Sequence, residues 1–67
     1  MVEHHYKCVL ERDGLRHTLN VWAPEKVSGP DLLPLAINRA IDNLEVLGIK
    51  AEPEDFAPIG YVYMGEI

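Results

Sequence analysis

An Asp-Gly pair between two strand-like runs is the feature that most constrains the fold of this 67-residue chain. Asp13 and Gly14 separate residues 6–12 from residues 15–23, and apolar side chains recur at alternate positions in both runs. A type I′ turn needs positive φ at its two central residues, and Asp-Gly supplies both. The sequence therefore predicts a two-residue hairpin, in which the turn sets the register and Cys8 faces Leu19.

This register sorts the hairpin side chains by polarity. The apolar face comprises Tyr6, Cys8, Leu10, His17, Leu19 and Val21. The opposite face is mostly polar and comprises His5, Lys7, Val9, Glu11, Arg16, Thr18, Asn20 and Trp22. A slip of one residue would mix the two sets, so turn chemistry and polarity support the same pairing. We predict that the apolar face lies in the core, with Glu11 opposite Arg16 on the other face.

A helix is predicted over residues 31–47. Asp31 is a good N-cap, and Pro34 then falls at the third helical position, where its missing N–H has no intrahelical partner to lose. The apolar positions with helical spacing are Leu33, Ile37, Ala40, Ile41, Leu44 and Leu47. Gly48 suits the C′ position that ends a helix.

The final segment contains a loop and a third strand. Residues 50–58 hold two prolines and three acids, which indicates a loop, with Phe56 packed under the helix end. Residues 59–65 are predicted to form a strand in one of two phases. Either Val62 and Met64 point to the helix while Tyr61 and Tyr63 point outward, or the reverse holds. We favour outward tyrosines, because the shallow core already holds three large side chains from the hairpin.

The predicted order is therefore ββαβ, an α+β fold in one domain over residues 1–67. A right-handed crossover sets the third strand beside the first, antiparallel to it, in the order 3-1-2. One helix covers only one face of such a sheet and leaves the other open.

A hairpin that leads into an alanine-containing helix and a further strand resembles the HicB-type antitoxin fold. Val27-Ser28-Gly29-Pro30 stands where that fold has a glycine-rich turn. The resemblance concerns topology and implies an antitoxin-like, nucleic-acid-binding sheet as an alternative function. Function itself has to be argued from residues.

The size of the chain favours association. A domain this small buries only about 60% of its unfolded surface, so its core needs support. Cys8 is the only cysteine, which excludes an intrachain disulfide. A metal site at Cys8 and His17 lacks two further ligands on the same face, and His4 and His5 are interpreted as solvated terminal residues. We therefore expect no metal or cofactor, and we expect a homodimer.

Catalysis is not expected either. A Cys8–His17 nucleophilic pair would need an orienting group and an oxyanion site, for which the centre of a sheet under a helix is a poor place. The five glycines are isolated and form no phosphate-binding loop. The carboxylates show no spacing typical of an acid–base pair in a cleft.

Net charge and hydropathy limit the class of partner and the cellular compartment that are expected. The net charge is −5, and the whole excess lies in residues 31–67, which carry seven acids and two bases. This balance disfavours nucleic acid, which binds basic surfaces. The longest apolar run, residues 32–37, is far too short to span a membrane, and the N-terminal residues do not resemble a signal peptide. One unpaired cysteine fits a reducing interior, so a cytoplasmic location is expected.

These patterns predict a small non-enzymatic protein-binding module, such as a regulator or inhibitor from a phage or mobile element. The alternative is a nucleic-acid-binding sheet module, either antitoxin-like or single-strand-binding. Binding is expected through an aromatic sheet face or through the acidic C-terminal half. The candidate partner-binding residues are Trp22, Tyr61, Tyr63, Lys7 and Arg16 for the sheet face, and Glu52, Glu54 and Asp55 for the acidic segment.

The hairpin register is directly measurable by nuclear magnetic resonance. Cross-strand amide contacts are expected between Cys8 and Leu19 and between Tyr6 and Val21, because the two-residue turn leaves no other pairing. Contacts displaced by one residue would overturn the assignment of the core face.

Overall fold

The computed structural model describes residues 2–66; Met1 and Ile67, the two ends of the predicted domain, lie outside the described residues. The elements are β1 (His4–Arg12), β2 (Leu15–Ala23), α1 (Gly29–Val46), a 3-10 turn (Pro53–Asp55) and β3 (Ala57–Glu66). The strands form one antiparallel sheet in the order β2-β1-β3. The predicted α+β class and strand order are therefore confirmed.

The hairpin has the predicted register. Tyr6 pairs with Val21 and Cys8 pairs with Leu19. Asp13 has a φ of 53° and Gly14 a φ of 78°, as a type I′ turn requires. One face of the sheet carries the buried side chains of the hairpin, which are Tyr6, Cys8, Leu10, Leu19, Val21 and Ala23. We call it the core face, and we call the opposite side of the sheet the outer face.

Strand β3 pairs with β1, and two bulges interrupt the ladder. The pairing skips Met64 and Ile59, so that Tyr63 lies opposite Tyr6 and Tyr61 lies opposite Cys8. Both tyrosines therefore share the core face, and the predicted outward phase is wrong. The physical reason is that the hydrophobic cluster does not extend over the β3 part of the core face. Tyr61 is 50% exposed and Tyr63 is 39% exposed, so neither ring needs depth inside the core.

The helix begins two residues earlier than predicted. Its N-cap is Ser28, whose carbonyl accepts a hydrogen bond of 2.8 Å from the Leu32 N–H. The Ser28 hydroxyl donates to the Asp31 carboxylate at 3.1 Å, so Asp31 lies in the first turn rather than at the cap. Pro30 fits this start, because N–H groups in the first turn have no intrahelical acceptor. Pro34 then lies inside the helix, where it cannot donate to the carbonyl of Pro30.

The buried stripe of the helix follows from this start. Its fully buried residues recur every four positions and are Leu32, Ala36, Ala40 and Leu44. Leu33, Ile37 and Ile41 flank this stripe and are partly buried. Leu47, predicted to belong to it, is exposed because α1 ends at Val46 and the chain turns at Gly48, which has a φ of 79°.

The helix ends in a Schellman motif, with Gly48 at C′ as predicted. The Gly48 N–H donates to the Glu45 carbonyl and the Ile49 N–H donates to the Leu44 carbonyl, each at 2.9 Å. These bonds satisfy two carbonyl groups that the helix itself leaves without a partner.

The buried side chains of α1 and of the core face form one hydrophobic cluster, which Ala51 and Phe56 complete. Phe56 is buried as predicted, and its ring meets the His17 ring edge-on with centroids 6.1 Å apart. The helix contacts β2 more extensively than β1. The cluster is therefore centred on the hairpin rather than on β3.

Replacement of Leu44 by Ala is expected to lower the free energy of unfolding by about 2–5 kcal/mol, because it removes a buried side chain from the cluster. Val46→Ala is the matched control on the same helix, since Val46 is 86% exposed. It is expected to change stability by less than about 0.5 kcal/mol. Urea titrations followed by circular dichroism compare the two variants. Equal losses would contradict the burial pattern of the helix.

Candidate functional site

Strand β3 exposes five large hydrophobic side chains along its length, on both sides of the sheet. They are Ile59, Tyr61, Val62, Tyr63 and Met64, between 39% and 60% exposed, and we call them the β3 surface. Residues 59–65 include no charged side chain. Single exposed hydrophobic residues are ordinary, whereas several on one edge strand make that edge the candidate functional site.

The two edges of the sheet differ in chemistry. Strand β2 forms the other edge and carries Arg16, His17, Thr18 and Asn20. Charged and polar residues on an edge strand discourage pairing with other chains. The β3 edge has protective features only towards its ends, which are Pro58, Glu66 and the bulges at Ile59 and Met64. The central part of β3 is thus the unprotected edge of the described sheet.

An open apolar groove of about 350 Å³ lies between β3 and the first half of α1. Its floor includes Cys8 and Leu10, which are buried, and one side is formed by residues of α1 such as Leu33 and Ala36. Ile59 and Tyr61 form the other side, so the groove is continuous with the β3 surface. A partner that covers β3 therefore also gains access to an apolar depression.

Tyr61 lies close to the start of the helix. A Cβ atom on Gly29 would stand 3.2 Å from the Cε1 atom of Tyr61, which is tighter than an ordinary van der Waals contact. The ring also meets Tyr6 edge-on, with centroids 6.3 Å apart. The absence of a side chain at Gly29 thus allows β3 to approach the helix on the core face.

Tyr63 is held on the same face by polar contacts. Its hydroxyl is hydrogen-bonded to Nδ1 of His4 at 2.7 Å, and its ring centroid is 5.1 Å from that of Tyr6. The Nζ atom of Lys26 lies 5.2 Å from the Tyr63 ring centroid, within cation–π distance. Tyr6 in turn accepts a hydrogen bond of 3.1 Å from the Val27 N–H. The connection between β2 and α1 is thereby fastened to the sheet.

Trp22 lies apart from the two tyrosines, at the end of β2 and on the outer face. The His5 ring stacks on its indole with centroids 4.8 Å apart and an interplanar angle of 8°. The Arg39 guanidinium is 5.8 Å from the indole centroid. His5 therefore already covers one face of the Trp22 ring, although Trp22 remains 41% exposed.

The other predicted binding residues occupy two further places. Lys7 and Arg16 are exposed on the outer face, where Lys7 lies between Asn20 and Val62 and Arg16 pairs with Glu11. The acidic residues are also exposed: Glu54 and Asp55 lie in the 3-10 turn, and Glu52 is its N-cap.

The acidic turn is remote from Trp22. Asp55 accepts a hydrogen bond of 2.9 Å from the Glu52 N–H, and the turn leads into Ala57, which pairs with Glu11 near the hairpin turn. Trp22 pairs with His5, and His5 lies six strand residues from Glu11, a distance of about 20 Å. The structure therefore divides the predicted binding residues among the core face of β3, the outer face and the acidic turn.

Three residues of the β3 surface were not among the predicted binding residues: Ile59, Val62 and Met64. A signal for them exists in the sequence, because residues 59–65 form a strand-like run without a charge. The groove has no comparable signal, since its two sides come from segments that are separated by more than twenty residues.

Metal ligation and thiol chemistry find little support in the described part of the chain. Residues 2–66 contain no group of three or more His, Cys, Asp or Glu side chains placed to hold a metal ion. Cys8 is 3% exposed, and burial raises the pKa of its thiol above the ordinary value of 9.0. The thiol is therefore protonated and unreactive near neutral pH.

No helix within residues 2–66 combines the length and the apolar character needed to cross a membrane. Among known proteins, no family model, no curated protein and no solved structure matches this chain.

The buried thiol makes stability depend on pH in the alkaline range. At a pH above 9, the unfolded chain loses the Cys8 proton while the folded chain retains it, because the folded pKa is the higher one. The folded state then binds more protons, so its stability falls as pH rises. The stability difference between the unmodified protein and Cys8→Ala is therefore expected to shrink between pH 7 and pH 10, as measured by urea titration. A constant difference would show that the thiol titrates alike in both states.

Proposed function

We propose that this chain is a small non-enzymatic protein-binding module that works as a homodimer. The observation that supports this function is the β3 surface: exposed large hydrophobic side chains on both sides of an edge strand whose residues 59–65 carry no charge. Such an edge offers unpaired backbone groups and apolar side chains to an extended segment of another chain. Binding by strand addition requires no catalytic or cofactor site.

In this proposal α1 packs on the core face over β2 and β1, and the outer face stays open. Support comes from the shared hydrophobic cluster and from the more extensive contacts of α1 with β2. A single helix about 10 Å wide does not cover three strands spaced about 4.8 Å apart together with their side chains. The β3 side of the core face is then left for a partner, and the groove opens there.

A regulator or inhibitor, such as those encoded by phages and mobile elements, is the role that best fits this module. The chain is small and acidic, with a net charge of −5, and its binding surface is apolar rather than charged. A cytoplasmic location belongs to the same proposal, because an unpaired cysteine persists most readily in a reducing compartment.

The second candidate is a nucleic-acid-binding sheet. One observation favours it: Lys7, Arg16 and Trp22 share the outer face. Two observations weigh against it. The tyrosines that would extend a base-stacking platform lie on the core face, and His5 covers one side of the Trp22 ring. Binding to a mixed oligonucleotide pool across a salt series tests this candidate, and steep weakening with salt would favour it over protein binding.

Substitution of Val62 by Lys is expected to convert a dimer into a monomer, because it places a charge in the middle of the uncharged edge. Leu15→Lys is the matched control: Leu15 on β2 is 63% exposed and Val62 on β3 is 60% exposed. Light scattering at micromolar protein concentration measures the mass of each. Circular dichroism confirms that both variants fold.

Two outcomes would contradict parts of the proposal. A monomeric mass for the unmodified protein at high concentration would rule out the homodimer. Affinity capture from the native host, with the unmodified protein and both variants as baits, then tests for a different protein partner. A partner that is retained by the Leu15→Lys bait and lost by the Val62→Lys bait would support binding at β3. Equal retention by all three baits would place the binding surface elsewhere.

A further inference from the structure

We infer that β3 pairs with β3 of a second copy, antiparallel and about a two-fold axis near Val62, to form a continuous six-stranded sheet. This inference rests on the proposed function and specifies which edge and which register the homodimer uses. Strand order in the dimer is then β2-β1-β3-β3-β1-β2, which follows from the order β2-β1-β3 in one copy.

The choice of β3 over β2 follows from the chemistry of the two edges. The β2 edge carries Arg16 and several polar residues, whereas residues 59–65 of β3 carry only apolar, tyrosine and glycine side chains. Pairing through β3 removes the unprotected edge of each copy and leaves the two β2 strands at the outside of the sheet. Pairing through β2 would do the opposite and leave both apolar edges in water.

The β3 sequence is self-complementary about its centre. The uncharged run spans residues 59–65, so Val62 is its midpoint and faces Val62 of the second copy. Tyr61 then faces Tyr63 of the second copy, which forms two cross-strand aromatic pairs. The bulges at Ile59 and Met64 flank this central part, and Pro58, which cannot donate a hydrogen bond, ends the ladder.

Repulsion between charged side chains of the two β3 strands is small in this register. Glu66 is the only charged residue in β3, and the two Glu66 positions lie eight strand residues apart in the pair, about 27 Å. That separation exceeds the Debye length of about 8 Å at physiological salt. The net charge of −5 on each copy still produces weak overall repulsion. Added salt is therefore expected to strengthen this dimer, whereas it would weaken the binding of a basic partner.

The available area suits a reversible dimer. Tyr61 and Tyr63, which are 50% and 39% exposed, together present on the order of 200 Å² per copy, given 150–250 Å² for a whole aromatic side chain, and Ile59, Val62 and Met64 add aliphatic area. Two copies together therefore remain below about 1,200 Å², which is the size range of weak and transient interfaces. Backbone hydrogen bonds between the two strands add to this contact. A dimer that dissociates on dilution is the expected result.

Disulfide trapping tests the register. Antiparallel partners have Cα atoms about 4.5–5.5 Å apart, which lies within the 4.4–6.8 Å range of disulfides. Val62→Cys is therefore expected to give a covalent dimer under mild oxidation, visible on a non-reducing gel. The control is Leu15→Cys, which is as exposed as Val62 but lies on the opposite edge strand, so it should remain monomeric on the gel. The native Cys8 is buried and adds no competing cross-link.

The outcomes separate this inference from the function on which it rests. A Val62→Cys cross-link without a Leu15→Cys cross-link, and a dimeric mass that rises with salt under reducing conditions, support β3 pairing. A dimeric mass without the Val62→Cys cross-link overturns β3 pairing and leaves the homodimer in place. A monomeric mass under reducing conditions at high concentration overturns both the pairing and the homodimer, and the bait comparison then decides whether a different protein uses β3.

Discussion

The register of the β1–β2 hairpin is the constraint on which the rest of the structure depends. Positive φ at Asp13 and Gly14 joins the strands through two residues and places Cys8 opposite Leu19. All the buried side chains of β1 and β2 then fall on one face, and the helix contributes to the same cluster. Because β1 is the central strand, the same alternation also decides which side of the sheet each residue of β3 occupies.

Small residues set how closely the helix and the last strand approach the hairpin. Ala36 and Ala40 lie in the middle of the buried stripe of α1, and Gly29 leaves space for the ring of Tyr61. The helix nevertheless contacts β2 more extensively than β1, so side chains of β3 remain exposed on the core face as well as on the outer face. The apolar groove therefore follows from the more extensive contacts of α1 with β2, whereas the apolar edge follows from the uncharged sequence of β3.

In the proposed function this chain acts by contact rather than by reaction. Cys8 is buried with a raised thiol pKa, and the acidic turn is occupied in part by its own capping hydrogen bond. Trp22, which alone suggests an aromatic binding platform, is stacked with His5 and lies on the opposite face from Tyr61 and Tyr63. The β3 surface and its groove remain, and both the proposed module and the proposed strand pairing are built on them.

Local chemistry in the sequence was sufficient for the hairpin, its register, the end of the helix at Gly48 and the burial of Phe56, because each depends on a turn residue or on alternation within a short segment. The start of the helix was predicted wrongly at Asp31, since Ser28 and Asp31 both suit a cap; in the structure the Leu32 N–H bonds to the Ser28 carbonyl and Asp31 lies in the first turn. The phase of β3 was also decided by tertiary structure. Two bulges, next to Gly60 and Gly65, shift the pairing so that Tyr61 and Tyr63 lie on the core face, and this shift is defined only when β3 pairs with β1. The groove depends on the same long-range arrangement, because its two sides meet only when β3 pairs with β1 beside the helix.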